Sequence, residues 1–174
     1  MTSLAPEAVD RTVYPEEERV GEDIVQRWIV ELLRPLLERW FEVREETAFV
    51  GADQFIYFVQ YDAHRRVAPD VYVLPGVAPD TPARSWKTWE SGVVPSFALE
   101  VVSSNWEKDY YDAPVDHQAL GTRELVIFDP AFAERREGRR WQRYLRNDAG
   151  TLVQVESTDA TAIDSAALGC ALRV

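Results

Sequence analysis

The sequence predicts a single α/β domain, from one strand–helix–strand pattern and from its length and hydrophobic content. The runs Phe97–Val102 and Glu124–Phe128 are almost continuously apolar and are separated by a short helical segment that ends at Gly121. A strand, helix and strand in which both strands are apolar are typical of a parallel crossover. The chain has 174 residues, 46% of them hydrophobic, so it can bury one core without metal or disulfide crosslinks. We therefore expect a single domain over residues 21–174.

The first helix is predicted from apolar residues that recur every four positions. This spacing is typical of an amphipathic helix, and we expect the recurring residues to pack on the core. Pro35 lacks a backbone donor, which predicts a kink or an early helix end there. The recurring residues are Ile24, Trp28, Leu32, Leu36 and Trp40, with Val25, Ile29 and Leu33 beside them in the same stripe.

Strands are predicted before and after the crossover, and a long loop separates two of them. Pro75–Pro95 is expected to place its tryptophans as a hydrophobic lid, with a substrate-facing loop as the alternative. Residues 1–20 are rich in Pro and Glu and are expected to lie as an arm over the domain. The remaining predicted strands are Glu46–Val50, Gln54–Tyr61, Ala68–Leu74, and an antiparallel extension formed by Trp141–Leu145 and Leu152–Val155.

Charge and cysteine content exclude several classes of protein. The net charge of −11 repels nucleic acid unless basic residues are gathered locally. Arg65–Arg66 is one such place; the second cluster is better interpreted as a solvated turn. One cysteine and two histidines give neither a disulfide nor a zinc site, and no signal peptide or membrane span is predicted. We expect a cytoplasmic protein without membrane contact. The second cluster comprises Arg135, Arg136, Arg139, Arg140 and Arg143.

Two acidic residues stand inside apolar strands. Asp70 lies in the run Val67–Leu74, and Glu100 lies in the run Phe97–Ser103. A charge in such a position is costly unless something pairs with it or coordinates it. A divalent metal shared by both carboxylates would satisfy this requirement. The alternative is a purely structural role through arginine pairs, for example with Arg65 or Arg123.

The order of four motifs resembles the Uma-two family of bacterial endonucleases, a branch of the PD-(D/E)XK nuclease superfamily. The resemblance covers roughly residues 14 to 145, and the order of the motifs makes it specific. The motifs are Arg65-Arg66-Val67-Ala68-Pro69-Asp70-Val71, Ser85-Trp86-Lys87-Thr88-Trp89-Glu90-Ser91-Gly92, Leu99-Glu100-Val101-Val102-Ser103, and Leu120-Gly121-Thr122-Arg123-Glu124-Leu125 through Asp129-Pro130.

This resemblance implies a restriction-endonuclease-like core, with a mixed central β-sheet flanked by helices. It implies Mg²⁺, or Mn²⁺, bound by Asp70 and Glu100, with the carbonyl of Val101 as a further ligand. Glu22 is a weaker match to an acid found on the first helix of such proteins. A charge that simply suits the positive end of the helix dipole is an equally good interpretation of Glu22.

The chain departs from the family pattern at the catalytic lysine. The superfamily places a lysine two residues after Glu100, where this chain has Val102, and relatives that carry it on the following helix would have it at Ala113. Lys108 is the nearest replacement, and we name it as the catalytic candidate. An unbroken α-helix would turn Lys108 about 140° away from position 113. His117, where relatives have tyrosine, is interpreted as a packed neutral residue.

Three hypotheses follow. The chain is a metal-dependent endonuclease that hydrolyses DNA phosphodiester bonds, or a catalytically inactive binding or regulatory module on a nuclease fold. The third is the purely structural role of both acids, which leaves the order of the motifs unexplained. DNA is the expected partner of an active enzyme, and restriction-type cores often form homodimers.

Overall fold

The computed structural model describes residues 12–14, 24–134 and 138–174. Its helices lie in the first 120 residues, and strands with one 3₁₀ turn follow them. They are α1 (Ile24–Val43), β1 (Ala48–Gly51), β2 (Ile56–Tyr57), β3 (Arg66–Val67), β4 (Val71–Pro75), β5 (Trp86–Lys87), α2 (Thr88–Ser91), β6 (Phe97–Val101), a π-helical turn (Lys108–Asp112), α3 (Ala113–Leu120), β7 (Glu124–Phe128), a 3₁₀ turn (Phe132–Glu134), β8 (Trp141–Arg146), β9 (Leu152–Thr158), β10 (Ala162–Ser165) and β11 (Cys170–Arg173).

Six strands form one mixed sheet in the order β1-β4-β6-β7-β8-β9. Strands β6 and β7 are parallel, and the other neighbouring pairs are antiparallel. The predicted parallel crossover and the predicted antiparallel extension are both present. The α/β fold class, with a mixed sheet and flanking helices, is confirmed.

The sheet is covered on both faces. Alternate residues of β6 point to opposite sides: Phe97, Leu99 and Val101 join α1 and the C-terminal hairpin in one buried cluster, and Ala98 joins α3 in the other. Burial on both faces explains why these strands read as continuous apolar runs. Glu100 alternates with the first set, which aims its side chain toward α3.

The core-facing side of α1 differs from the sequence prediction. The helix is present, but Val30, Leu37 and Phe41 are its buried residues, and Leu36 lies in the exposed row. Of the predicted stripe, Ile29, Leu33 and Trp40 are partly buried against the core, whereas the other residues of the row at intervals of four were wrongly assigned to it. The helix also runs through Pro35 without the early end that proline predicted. The exposed members of the row are Ile24, Trp28, Leu32 and Leu36.

Smaller elements occupy the segments predicted as a long strand and a long loop. Gln54–Tyr61 contains only β2, which pairs with β3 and β5 in a separate three-stranded sheet. The loop Pro75–Pro95 contains β5 and α2, and the Trp86 indole donates to the Val93 carbonyl at 3.0 Å. Tyr14 packs on Tyr57, with ring centroids 4.8 Å apart. The tryptophan-rich loop thus contributes to packing.

The C-terminal hairpin β10–β11 was not predicted and closes the α1 side of the core. Ile163, Leu168 and Leu172 are buried in that cluster. The buried carboxylate of Glu124 accepts a hydrogen bond from the Ala167 N–H at 2.7 Å, and the Trp40 indole donates to the Leu168 carbonyl at 2.9 Å. These contacts fasten the hairpin to β7 and α1.

Several predicted residues lie outside the described part of the chain. Glu22 is among them, as are Arg135 and Arg136. Of the predicted arm, only residues 12–14 are described. Within the described residues, no helix combines the length and the apolar character needed to cross a membrane.

Candidate metal centre

Asp70 and Glu100 come together at the end of the mixed sheet. Strands β4 and β6 are antiparallel, with Val71 opposite Leu99. Continuing this register by one residue leads from Asp70 to Glu100, and the Asp70 carboxyl lies 2.6 Å from the backbone nitrogen of Val101, the next residue after Glu100. The two acids that were separate in sequence thus form one pair.

Asp70 is buried and fully engaged by neighbouring donors. Only 3% of the surface of Asp70 is exposed to solvent. The backbone N–H of Val101 donates to Oδ2 at 2.6 Å, and the side-chain amide of Gln26 on α1 donates to Oδ1. These two bonds hold the carboxyl group in a single orientation at the end of β6.

The environment of Asp70 opposes its ionisation. Burial, with a smaller contribution from the nearby carboxyl of Glu100, raises the pKa of Asp70 to about 8. The hydrogen bonds from Val101 and Gln26 lower it and offset only part of this effect. In the absence of a cation, Asp70 is therefore largely protonated at neutral pH.

Glu100 is held from the other side by a chain of polar side chains. Its Oε1 lies 2.8 Å from Nε2 of His117, whose Nδ1 lies 2.8 Å from the hydroxyl of Thr122. Both His117 and Thr122 are completely buried, whereas the Glu100 side chain keeps 15% of its surface exposed. Glu100 is thus positioned by α3 and the turn that follows it, with one edge open to solvent.

The Glu100–His117 contact is a bond between two neutral groups in the metal-free protein. Burial raises the pKa of Glu100 well above its usual value, and the nearby carboxylate of Asp109 raises it further. Burial also lowers the pKa of His117 to about 3. The environment of His117 therefore agrees with the interpretation of this residue as neutral and packed. Its bond to Glu100 also positions the Glu100 carboxyl group.

The surroundings of Val102 explain why the usual lysine is absent from position 102. Val102 is buried in the cluster on the α3 face, and its N–H donates to the Phe128 carbonyl at 2.8 Å. A lysine there would place its ammonium among apolar side chains. A cation for this site must come from another element.

The π-helical turn changes the expected direction of Lys108. The Ala113 N–H donates to the Lys108 carbonyl five residues earlier, which closes one wide turn between them. Positions 108 and 113 are therefore about one turn apart on a similar face, and the 140° offset of an unbroken α-helix does not apply. The Lys108 ammonium acts electrostatically on Glu100 and lowers its pKa, against the larger effects of burial and Asp109.

Neighbouring contacts leave Lys108 available to a ligand. The carboxylate of Asp109 accepts hydrogen bonds from the N–H and hydroxyl of Ser103, at 2.7 and 2.8 Å. Within the described residues, Lys108 forms no ion pair with its acidic neighbours Glu107 and Asp109. Lys108 also lines an open depression of about 350 Å³, whose other lining residues are Asn105, Glu107, Tyr111 and Asp112 and do not include Asp70 or Glu100.

The residues present fit a hard divalent cation. Among the described residues, neither Asp70 nor Glu100 forms an ion pair with lysine or arginine, so the proposed arginine pairs with Arg65 or Arg123 are absent. No group of three or more histidine, cysteine or acidic residues suited to a metal exists in those same residues. Mg²⁺ needs only one or two protein carboxylates and takes its other oxygens from water or phosphate. Two neighbouring carboxyl groups whose pKa values are both raised, mainly by burial, match this requirement.

Sequence reasoning missed Gln26 and the role of Thr122. Gln26 is 44 residues from Asp70 in sequence, and its place in α1 gives no local sign of that contact. Thr122 belongs to a quoted motif, but only the turn after α3 brings its hydroxyl to His117. The Asp112 side chain makes no capping bond at the start of α3, because the helical backbone already continues from the π-helical turn.

The sequence matches the model of a known protein family. The family model described as "Uma2: Putative restriction endonuclease" matches residues 16–174, which is most of the chain. The chain belongs to the Uma2 family. The match confirms the resemblance drawn from the four motifs and extends it through the C-terminal hairpin. No curated protein matches the chain.

A solved structure shares the Uma2 fold seen here. It is described as "a putative nuclease belonging to DUF820 from Anabaena variabilis ATCC 29413". The TM-score is 0.57 at 11% sequence identity, covering 85% of this chain and 75% of that one. At this identity the likeness shows a common fold.

Proposed function

We propose that this Uma2 protein is a metal-dependent endonuclease that hydrolyses DNA phosphodiester bonds. The proximity of Asp70 to Glu100 at the end of β6, with no lysine or arginine among the described residues paired to either, carries the proposal. A bound Mg²⁺ or Mn²⁺ would polarise the phosphodiester and stabilise charge on the leaving oxygen. Asp70, Glu100 and the Val101 carbonyl are the proposed ligands. Glu22 remains a candidate from the sequence alone.

The protein side chains fix the position and charge of this pair. Val101 and Gln26 orient Asp70 through its two oxygens. His117 holds Oε1 of Glu100 and leaves the exposed edge of that side chain toward solvent. Since cation binding requires both carboxyl groups to lose their protons, binding restores charges that burial suppresses.

Lys108 is the proposed partner of the phosphate. It is exposed, acts electrostatically on Glu100, and lies about one turn before Ala113. An ammonium near the scissile phosphate would stabilise the extra negative charge of the transition state. The π-helical turn is the feature that supports this role, since such turns occur frequently at functional sites.

The inactive binding module is the second candidate, and the buried Val102 favours it. The usual lysine position has become part of the core, and the overall charge of −11 opposes contact with DNA. Local basic residues offset this repulsion only in part: Arg65 stacks over Phe58, and Arg143 pairs with Glu156. The two candidates differ in whether the metal-loaded protein cuts DNA.

Cleavage of supercoiled plasmid tests the proposal. The purified protein should nick and linearise the plasmid with Mg²⁺ or Mn²⁺, and a matched Asp70→Ala/Glu100→Ala protein should not. Metal binding without cleavage would support the inactive module. Equal cleavage by both proteins would show a contaminating nuclease and reject these residues as the site.

Lys108 has a matched control, since Lys87 is the only other lysine in the chain. We expect Lys108→Ala to lower the cleavage rate on the order of 10²–10³-fold while metal binding is kept. Lys87→Ala should retain the native rate. Equal rates for Lys108→Ala and native protein would remove Lys108 from the mechanism.

A further inference from the structure

Helix α1 presents a row of large apolar side chains to solvent. Their exposed fractions lie between 57 and 66%. Contiguous apolar surface of this kind is uncommon on monomeric proteins and marks interaction sites. The exposed row comprises Ile24, Trp28, Leu32 and Leu36.

Charges of alternating sign run along one edge of this row. Arg27 pairs with Glu31 at 2.8 Å, and Arg34 pairs with Glu38 at 3.0 Å, both within the helix. Read along α1, the edge is positive, negative, positive, negative. Such a pattern becomes complementary to itself when it is reversed.

We propose that α1 forms a homodimer interface by packing antiparallel against α1 of a second copy, around a two-fold axis between Leu32 and Leu33. This axis sets Arg27 opposite Glu38 of the second copy, and Glu31 opposite Arg34. In an antiparallel pair the same edge of both helices meets, so every facing pair has opposite sign. In a parallel pair this edge would instead face the opposite edge of the second helix, so these four charges would not meet one another.

The apolar row fits the same axis. Leu32 lies next to the axis and meets its own counterpart. Trp28 comes within one residue of the level of Leu36 in the second copy. The 20-residue helix is about 30 Å long. Tryptophan and leucine side chains buried along it would supply the affinity, and the charged edge would select the orientation.

Sedimentation of the full chain tests the interface. Native protein should sediment at twice the mass of one chain as concentration rises, and Leu32→Glu should remain a monomer with an unchanged circular dichroism spectrum. Val115→Glu on α3 is the matched control, because Val115 is also 65% exposed, and it should still dimerise. A native protein that stays monomeric, or a Leu32→Glu protein that dimerises normally, would overturn the proposal.

Charge reversal separates the dimer from effects within one helix. Arg27→Glu should weaken the dimer, because it sets like charges across the axis. Arg27→Glu/Glu38→Arg should restore it, although both intrahelical pairs then carry like charges. A double variant no stronger than the single variant would contradict the proposed register.

Disulfide crosslinking tests the orientation, in a Cys170→Ser background. Leu32→Cys should crosslink on oxidation because the axis passes beside it. Ile24→Cys should not, because its counterpart would lie about 25 Å away along the helix axis. Crosslinking at both positions would indicate a parallel pair and reject the antiparallel interface.

Discussion

Asp70 and Glu100 are costly residues for the fold. Each is a carboxyl group whose burial raises its pKa, and the carboxyl of Glu100 also raises the pKa of Asp70. An electrostatic cost of this kind is retained at sites where function requires it. The metal-free protein is therefore expected to gain stability when either carboxyl group is replaced by an amide, provided that the hydrogen bonds are kept.

Asp70→Asn tests this cost. The native state holds the Asp70 proton up to about pH 8, whereas the unfolded chain releases it near the ordinary value of 3.8. Between these values the native state binds more protons, so this residue destabilises the metal-free protein increasingly as pH rises. Asparagine can still accept from Val101 and, with a flipped amide, bond to Gln26. We expect Asp70→Asn to be more stable than native protein.

Urea denaturation at pH 5 and pH 8, without metal, measures this difference. The gap in free energy of unfolding should widen toward pH 8. His117 has the opposite pH dependence, since its lowered pKa contributes stability that is lost below its ordinary value of 6.5. The comparison between the two proteins cancels that effect. A constant gap would show that Asp70 ionises normally.

His117→Gln tests the support of Glu100. The variant removes an imidazole fixed between Glu100 and Thr122, so the carboxylate of Glu100 loses a defined orientation. We expect Mn²⁺ affinity to fall about 10–100-fold, the usual effect of losing such a supporting group. Titration calorimetry measures it. His64→Gln, the exposed second histidine, should bind Mn²⁺ normally; an equal loss in both variants would exclude a specific role for His117.

At the scale of the element, the sequence pattern predicted α1 but misidentified its buried face. Apolar residues lie on more than one face of the helix. An interval of four residues therefore fits the exposed row Trp28–Leu32–Leu36 as well as the buried row that ends at Leu37 and Phe41. Only packing on the sheet decides between them.

Truncation of neighbouring leucines measures which face is buried. Leu37 is 3% exposed, and Leu37→Ala should lower the free energy of unfolding by about 2–5 kcal/mol, through lost burial and a cavity. Leu36→Ala in dilute solution should change it by less than about 0.5 kcal/mol. Urea denaturation monitored by circular dichroism distinguishes the two. Similar losses would contradict the orientation of α1.

The π-helical turn gives a second test at this scale. If positions 108 and 113 share a face, a lysine at 113 can replace the one at 108. We expect Lys108→Ala/Ala113→Lys to recover cleavage that Lys108→Ala has lost, with unchanged Mn²⁺ binding. Plasmid nicking measures both rates. A double variant as inactive as the single one would show that position 113 does not reach the same ligand.

At the scale of the whole molecule, prediction succeeded where the signal was local or ordered in sequence. The apolar runs around Leu99 and Val126 predicted the parallel pair, and the motif order predicted the meeting of Asp70 with Glu100. Gln26 could not be predicted, because its contact depends on how α1 crosses the sheet. The C-terminal hairpin was missed because Ile163, Leu168 and Leu172 are isolated apolar residues without a clear period.

That hairpin is expected to be essential to the fold. Removing residues 162–174 would expose the core under Ile163, Leu168 and Leu172, each worth about 1.5–3 kcal/mol of burial. It would also leave the buried carboxyl of Glu124 without its Ala167 donor. We expect the truncated chain to lose its cooperative thermal transition. Removal of the exposed Val174 alone should leave the transition unchanged, and a stable truncated chain would contradict this account.

The most direct test of the metal centre is anomalous diffraction from a crystal of the native protein soaked in Mn²⁺ at pH 8, where both carboxyl groups can lose their protons. We predict a manganese peak between the carboxylates of Asp70 and Glu100, at about the 2.0–2.2 Å expected for a small divalent cation with oxygen ligands. The same soak of Asp70→Asn/Glu100→Gln should show none there. A native crystal with no peak at these residues, or with manganese bound elsewhere only, would contradict the central claim.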